Sequence, residues 1–112
     1  MGKIGRLTAP ADFRRTYSEG KRASVGSVVA HVRLTSEDGP ARIGVTAARG
    51  LGGSVSRNRA KRRVREALRM VRDEVRPGSD VVLVASSAAT QVDFQDMVDS
   101  VRRALSQAGG CR

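Results

Sequence analysis

Residues 56–72 carry the strongest chemical signal in this 112-residue sequence. Eight of them are basic, the only acid is Glu66, and neither glycine nor proline interrupts them. Each cation can neutralise one phosphate of a nucleic acid, and the counterions that are then released drive binding. A solvated basic face is the alternative, but such faces usually carry acids four residues from the bases, so a nucleic-acid contact is favoured. The eight basic residues are Arg57, Arg59, Lys61, Arg62, Arg63, Arg65, Arg69 and Arg72.

The sequence contains no clear set of residues with which the chain could catalyse a reaction by itself. The single histidine, His31, lies in a strand-like pattern, where a structural or solvated histidine is far commoner than a catalytic one. Asp93, Asp96 and Asp99 recur on one face of a predicted helix, and a solvated face explains them better than a metal site. The glycines in residues 49–54 fit neither the phosphate-loop nor the dinucleotide-binding pattern. The sequence therefore predicts no catalytic residue and no metal site in the chain.

The composition also favours a polyanionic partner. The 21 basic and 11 acidic residues give a net charge of +10, which favours nucleic acid first and an anionic membrane surface second. Most of the basic residues are arginine, which suits RNA contact, although a genome rich in G and C would produce the same bias. The lone Cys111 allows no internal disulfide. With no secretory signal and no long apolar run, we expect a cytoplasmic protein that does not span a membrane.

Hydrophobic patterning predicts one domain over residues 1–112, beginning with a short helix over residues 8–20. Thr8 can cap this helix, Pro10 is tolerated in its first turn, and Gly20 can end it.

Three strands are clear from the sequence. Residues 23–35 are rich in valine and partly alternating, and residues 41–49 are predicted to run antiparallel to them across the turn at 36–40. Residues 80–86 form a continuous apolar run, which is typical of a central strand.

The basic segment is predicted to be an amphipathic helix with two arcs. At 100° per residue, one arc is apolar and can pack on a sheet, while the other is basic and can face a partner. The apolar arc comprises Ala60, Val64, Ala67, Leu68 and Val71. The basic arc comprises Asn58, Lys61, Arg62, Arg65, Arg69 and Arg72.

A last helix is predicted over residues 90–107, with Thr90 and Asp93 as a capping-box-like pair. Its predicted buried stripe comprises Phe94, Met97, Val98, Val101 and Leu105.

Two aromatic residues of the first helix are open to two interpretations. Phe13 and Tyr17 are four residues apart and therefore share a helix face. They could belong to the core, or they could offer rings to unstacked bases, each stack contributing about 1–3 kcal/mol. The residues alone favour neither.

The sequence IGVTAARGLGGSVSRNRAKRRVREALR, residues 43–69, resembles the protein subunit of bacterial ribonuclease P. That family carries a hydrophobic strand, a short basic loop with glycine, Arg-Asn-Arg, one residue, Lys-Arg and a later Arg. The resemblance extends to the N-terminal segment, where an Arg-Leu pair, two aromatics and a glycine recur, and it covers the whole chain in order. The matching residues are Arg57, Asn58, Arg59, Lys61, Arg62 and Arg65, with Arg6, Leu7, Phe13, Tyr17 and Gly20.

Two positions depart from the family pattern. Arg49 is followed by Gly50, where the family usually has a second basic residue, and Ser54 replaces a common alanine. These departures affect one expected cationic contact.

The resemblance implies an α+β fold of the order αβββαβα, like the second domain of ribosomal protein S5. Its small mixed sheet would contain a left-handed βαβ crossover through the basic helix, against the general right-handed rule. The fourth strand would be a short piece near residues 23–27.

The resemblance also implies a role in maturation of the 5′ end of precursor tRNA. In this family an RNA subunit is the catalyst, with magnesium held mainly by that RNA, so the chain would be a subunit of an endonuclease. No further protein partner is required. The residues expected to bind the RNA subunit are Arg57, Asn58, Arg59, Lys61, Arg62 and Arg65. Those expected to bind the precursor's 5′ leader, in a cleft between the first helix and the sheet, are Phe13, Arg14, Tyr17 and Arg49.

The main alternative is another RNA-binding or ribosome-associated protein without a role in cleavage. A DNA-binding helix protein is disfavoured because only Asn58 and its neighbours suit base reading and no helix-turn-helix pattern occurs.

Overall fold

The computed structural model describes residues 5–35, 39–49 and 52–111, which form a mixed five-stranded sheet with helices on both faces. Short 3-10 turns follow the second helix and the last strand, at Arg72–Glu74 and Ser87–Thr90. The elements are β1 (Gly5–Arg6), α1 (Pro10–Glu19), β2 (Lys21–Val25), β3 (Val28–Leu34), β4 (Arg42–Ala47), α2 (Ser54–Val71), β5 (Ser79–Ala85) and α3 (Phe94–Gln107).

The strands are arranged in the order β1-β4-β5-β3-β2, so β5 is the central strand, as its continuous apolar run predicted. β4 and β5 are parallel neighbours joined through α2, and β3 pairs with β5 antiparallel. As predicted, β4 runs antiparallel to β3, but the two strands are not neighbours in the sheet, because β5 lies between them. A strand that is apolar on both faces is stable only where the sheet and its helices bury it on all sides. Residues 36–38 of the predicted turn lie outside the described residues.

The segment predicted as one strand over residues 23–35 is a hairpin of two strands. β2 ends at Val25, and Gly26 turns the chain with a φ of +56°, a conformation that favours glycine. The short fourth strand expected near residues 23–27 is thus β2, beginning at Lys21. The two-residue β1, which pairs parallel with β4, adds one strand to the expected order.

One face of the sheet and the inner sides of α2 and α3 form the core. The apolar arc predicted for α2 is confirmed, since all five of its members are buried. Four members of the α3 stripe are buried as well, but Phe94 is 37% exposed. Phe94 is the first residue of α3, so its ring lies at the helix end rather than on the packed stripe.

Two helix starts differ from their predictions. Ala9 occupies the N-cap of α1, which has no side-chain cap, so the Thr8 cap was wrong, whereas Pro10 begins the helix as expected. In α3, Asp93 alone is the cap and accepts a hydrogen bond from the Gln95 N–H. The predicted pair was wrong because Thr90 belongs to the preceding 3-10 turn, where its hydroxyl donates to the Ser87 carbonyl.

A buried carboxylate fixes α1 to the other face of the sheet. Asp80 on β5 is 2% exposed and accepts hydrogen bonds at 2.9 Å from Arg33 on β3 and from Arg42 on β4. The Arg42 guanidinium also lies 3.4 Å from Asp12 of α1, and the Arg33 guanidinium lies 3.9 Å from Glu19 at the helix end. This ion network links both ends of α1 to three neighbouring strands.

Candidate nucleic-acid interface

Helix α1 lies across a row of three residues at one register of the sheet. Gly44 pairs with Val82, and Val82 pairs with His31. The Phe13 ring packs directly on Gly44, because a Cβ added there would lie 2.5 Å from the ring. One helical turn later, the Tyr17 ring meets His31 edge to face with centroids 4.7 Å apart. The two aromatics thus share a face of α1, as predicted, but contact different strands.

The sheet beside α1 is open on one side only. Two residues further along each strand, Thr46, Val84 and Val29 form the next row on the same face and remain half-exposed. On the other side of α1 the corresponding row contains Arg42, Asp80 and Arg33, where the ion network closes the gap. The half-exposed row containing Val84 therefore borders the aromatic side of α1, and this surface is called the cleft below.

The four residues predicted to bind a leader surround this cleft to different degrees. Phe13 and Tyr17 line the helix side of it, and Tyr17 is 42% exposed. Arg14 is exposed on α1, and Arg49 is exposed just beyond the end of β4. Gly50, the departure from the family pattern, lies outside the described residues. Leader binding itself remains a prediction for all four.

His31 also lies at the cleft, against the Tyr17 ring, a position that its sequence pattern did not indicate. Its Nδ1 is buried and has no hydrogen-bond partner among the described residues. Burial lowers the pKa of His31, and the cation of Arg22, its cross-strand neighbour, lowers it further. The period-two alternation of β3 places His31 on the face of Val29, but only the α1 packing reveals its contact with Tyr17.

The lowered pKa makes a pH dependence testable. Because the folded-state pKa of His31 lies below the usual 6.5, its contribution to stability is present above that value and is lost as the pH falls through the folded-state pKa. We expect His31→Phe, which keeps a ring against Tyr17, to lose less free energy of unfolding than the parent between about pH 7.5 and 5.5. Urea denaturation at each pH measures this, and parallel pH profiles for both proteins would contradict it.

The basic arc of α2 is exposed to solvent and available to a partner. Of the six residues expected to bind the RNA subunit, Lys61 is half-exposed and the other five are exposed. No acid occurs in the first turn of α2 and no side chain caps it, so its N-terminal N–H groups add to the positive potential around Arg57 and Asn58. The structure brings all six onto one helix, as predicted; their contact with RNA remains a prediction.

Among the described residues, two arginines outside the Asp80 ion network also have structural partners. Arg63 of α2 donates hydrogen bonds to the carbonyl oxygens of Ala89 and Val92 and so fixes the helix to the segment before α3. Arg102 donates to the carboxylate of Glu74. Arg63 is therefore a structural residue, whereas the other seven cations of the basic segment have no side-chain hydrogen bond or ion pair within the described part of the chain.

Three aspartates and one cysteine are further residues whose side chains could bind a metal or react. Asp93, Asp96 and Asp99 are exposed, and Asp99 pairs with Arg102 at 3.5 Å. In the part of the chain that the structure describes, no three His, Cys, Asp or Glu side chains come together as a metal site. Cys111 is half-buried and forms a β-bridge with Val75. No helix within the described ranges is long and apolar enough to span a membrane.

The fold comparison defines the class of protein. The structure is similar to the RNase P protein of Staphylococcus aureus, with a TM-score of 0.81 over 98% of this chain and 100% of that chain, at 24% identity. It is also similar to the RNase P protein of Thermotoga maritima, with a TM-score of 0.77 and 27% identity over 91% and 96% of the two chains. The chain thus has the α+β fold of bacterial RNase P proteins.

The sequence comparisons define the family. The family model described as Ribonuclease P matches residues 1–109. The ribonuclease P protein component of Symbiobacterium thermophilum is 37% identical over 97% of this chain and 95% of that protein. The same component of Herpetosiphon aurantiacus is 36% identical over 96% and 87%. The chain belongs to the ribonuclease P protein family.

Proposed function

We propose that this chain is a single RNA-binding domain that joins the catalytic RNA of ribonuclease P in the cytoplasm. There it also binds the 5′ leader of precursor tRNA and assists endonucleolytic maturation of the tRNA 5′ end. The observation that carries the proposal is the exposed basic arc of α2, whose cations have no protein partner among the described residues, while its apolar arc is buried. Such a surface can neutralise RNA phosphates without disturbing the core.

The two candidate surfaces suit two different RNAs, the catalytic RNA subunit and the 5′ leader of the precursor tRNA. The basic arc suits the folded RNA subunit, because its contacts are cations spread along one helix. The cleft beside α1 suits a single strand, because Phe13 and Tyr17 can stack on unpaired bases and Arg14 and Arg49 can approach the backbone. A leader is single-stranded and is absent from mature tRNA, so this cleft would favour the precursor.

The chain's own part in the reaction is binding and positioning. We assign magnesium to the RNA partner, as the resemblance to the ribonuclease P protein family implies. When bound there, it would activate the attacking water and stabilise the leaving oxygen. The protein would hold the leader so that the scissile bond lies at that site, without a catalytic residue of its own.

The test is cleavage of precursor tRNA by the protein with and without a ribonuclease P RNA. We expect the protein with magnesium alone to leave the precursor intact, and the protein with RNA to cleave faster than the RNA alone at moderate salt. Cleavage at the correct site by the protein without the ribonuclease P RNA would overturn the assignment of catalysis to that RNA. RNA binding without any stimulation of cleavage would instead support the alternative of a general RNA-binding or ribosome-associated protein.

Tyr17 gives a sharper test of leader recognition. With the ring removed, Tyr17→Ala should weaken holoenzyme binding of leader-bearing precursor by about 5- to 150-fold, the equivalent of one lost stack. Affinity for mature tRNA should hardly change. Tyr17→Phe, which keeps the ring, is the matched control and should bind both RNAs like the parent. Equal losses for precursor and mature tRNA in Tyr17→Ala would exclude a leader-specific role.

A further inference from the structure

A second groove opens at the β1 edge of the sheet, between β4 and the C-terminal half of α2. Its volume is about 550 Å³, within the range of about 300–1,000 Å³ typical of small-ligand sites. Four arginines line it: Arg6 from β1, and Arg65, Arg69 and Arg72 from one side of α2 and the turn that follows. Only Arg65 among these belongs to the six residues expected to bind the RNA subunit.

The four arginines of this groove have no side-chain partner among the residues that the structure describes. Each is exposed, and within the described ranges none forms an ion pair or a side-chain hydrogen bond with the protein. By contrast, Arg33, Arg63 and Arg102 all have protein acceptors. Four unpaired cations around one concave site repel one another. An anionic ligand with more than one phosphate would relieve that repulsion.

The floor of the groove is apolar. Leu68 and Ile43 are buried at its base, Val45 is half-exposed in it, and the Phe13 ring forms part of its wall. Gly44 allows the Phe13 ring to reach this edge, since any Cβ at position 44 would collide with it. A site with an apolar floor, one aromatic ring and a rim of arginines matches the two parts of a nucleotide, a flat base and its phosphates.

We propose that this groove holds one unstacked nucleotide of the catalytic RNA, with its base on the Leu68–Val45 floor and its flanking phosphates on Arg69 and Arg72. The proposal rests on the proposed function and adds a site to it. We take the RNA subunit as the source of this nucleotide, because Arg65, Arg69 and Arg72 belong to the same basic arc of α2 that is expected to bind that RNA. An RNA duplex is excluded by the floor, because paired bases offer no exposed face to an apolar surface.

Paired charge removal tests the phosphate contacts. The double variant Arg69→Gln/Arg72→Gln is compared with Arg76→Gln/Arg103→Gln, which removes the same charge from exposed positions outside the groove. The groove pair should bind the catalytic RNA at least about tenfold more weakly. It should also lower the slope of log affinity against log salt by roughly 1.4–1.8, twice the value for one phosphate. Equal effects from both pairs would overturn the proposal.

A charge-adding variant tests whether a base occupies the floor. Val45→Lys adds a cation to the groove but removes apolar floor. If only phosphates bind there, it should bind RNA as tightly as the parent or more tightly; if a base lies on Val45, it should bind more weakly despite the added charge. Unchanged or tighter binding would overturn the proposal. Thermal melts establish whether the Val45→Lys variant is folded. If it is not folded, the comparison of the two double arginine variants tests the proposal instead.

Site-directed crosslinking identifies the nucleotide. In a Cys111→Ser background, Thr8→Cys at the groove rim and Ser106→Cys on the exposed side of α3 each carry the same photoactivatable aryl azide. The Thr8 probe should crosslink to an unpaired nucleotide of the catalytic RNA, well above the Ser106 probe. Crosslinks to the precursor leader, to paired nucleotides, or at the Ser106 level would overturn the proposal. Normal cleavage by the unmodified protein with its RNA would show that the proposed function stands even then.

Discussion

Replacing Asp80 with alanine is expected to lower the free energy of unfolding by about 3–5 kcal/mol, the usual loss when one member of a buried ion pair is removed. The Asp80 carboxylate is 2% exposed and receives hydrogen bonds at 2.9 Å from Arg33 and Arg42. Without it, two guanidinium groups on the strands that flank β5 would face each other with no negative charge between them. The loss is a large part of the roughly 5–15 kcal/mol by which a domain is stable.

Urea denaturation measures this loss, and Glu19→Gln is the control. Glu19 contacts the same Arg33, but at 3.9 Å and with its side chain 59% exposed. Exposed ion pairs contribute about 0–1 kcal/mol, so this variant should unfold almost like the parent. If Asp80→Ala lost no more than Glu19→Gln, the buried carboxylate would not be the link that holds α1 on the sheet.

Removing three cations of the basic arc together should have the largest effect on RNA affinity. For Lys61→Ala/Arg62→Ala/Arg65→Ala, the slope of log affinity against log salt should fall by roughly 2.1–2.7, three times the value for one phosphate. The melting temperature should hardly change, because these side chains project from the exposed side of α2 and none has a protein partner within the described residues. A salt titration of RNA affinity, paired with thermal melts, provides both measurements.

Arg63 supplies the control within the same helix. Arg63→Ala removes one cation of the basic segment, but that cation donates to the Ala89 and Val92 carbonyls. Its loss should lower the free energy of unfolding by about 1–3 kcal/mol, because two partly buried carbonyl acceptors lose their donor, while the salt slope stays close to the parent's. A triple variant with the parent's slope and affinity would mean that the basic arc is only a solvated surface.

The sequence was sufficient where a hydrophobic pattern that extends over many residues decides the structure. The two arcs of α2 follow from the 3.6-residue period alone, and all five apolar members are buried as predicted. The central position of β5 follows from its unbroken apolar run. The partner of β4 could not be predicted in the same way, because strand pairing is decided by elements distant in sequence. The exposure of Phe94 depends on where α3 begins, and helix ends are set by individual caps.

The candidate cleft was predictable only in part for the same reason. The spacing of Phe13 and Tyr17 fixes their common helix face, but what lies beneath each ring depends on the register of three strands. His31 lies on β3 and Gly44 on β4, two strands that do not pair with each other, yet the register of β5 between them aligns the two residues. Arg63 looks like its neighbours in the sequence, and only the 3-10 turn that presents the Ala89 carbonyl distinguishes it.

The position of β5 has a consequence for the order in which the protein is made and folded. β5 pairs with both β3 and β4, so before residues 79–85 leave the ribosome those two strands lack their common neighbour. The β2–β3 hairpin and α2 can form early from local contacts, but the sheet closes late, through pairings between distant residues. Until then the nascent chain carries an apolar helix arc and unpaired strand edges. The basic residues of α2, already synthesised, would keep such chains apart by mutual repulsion until the central strand arrives.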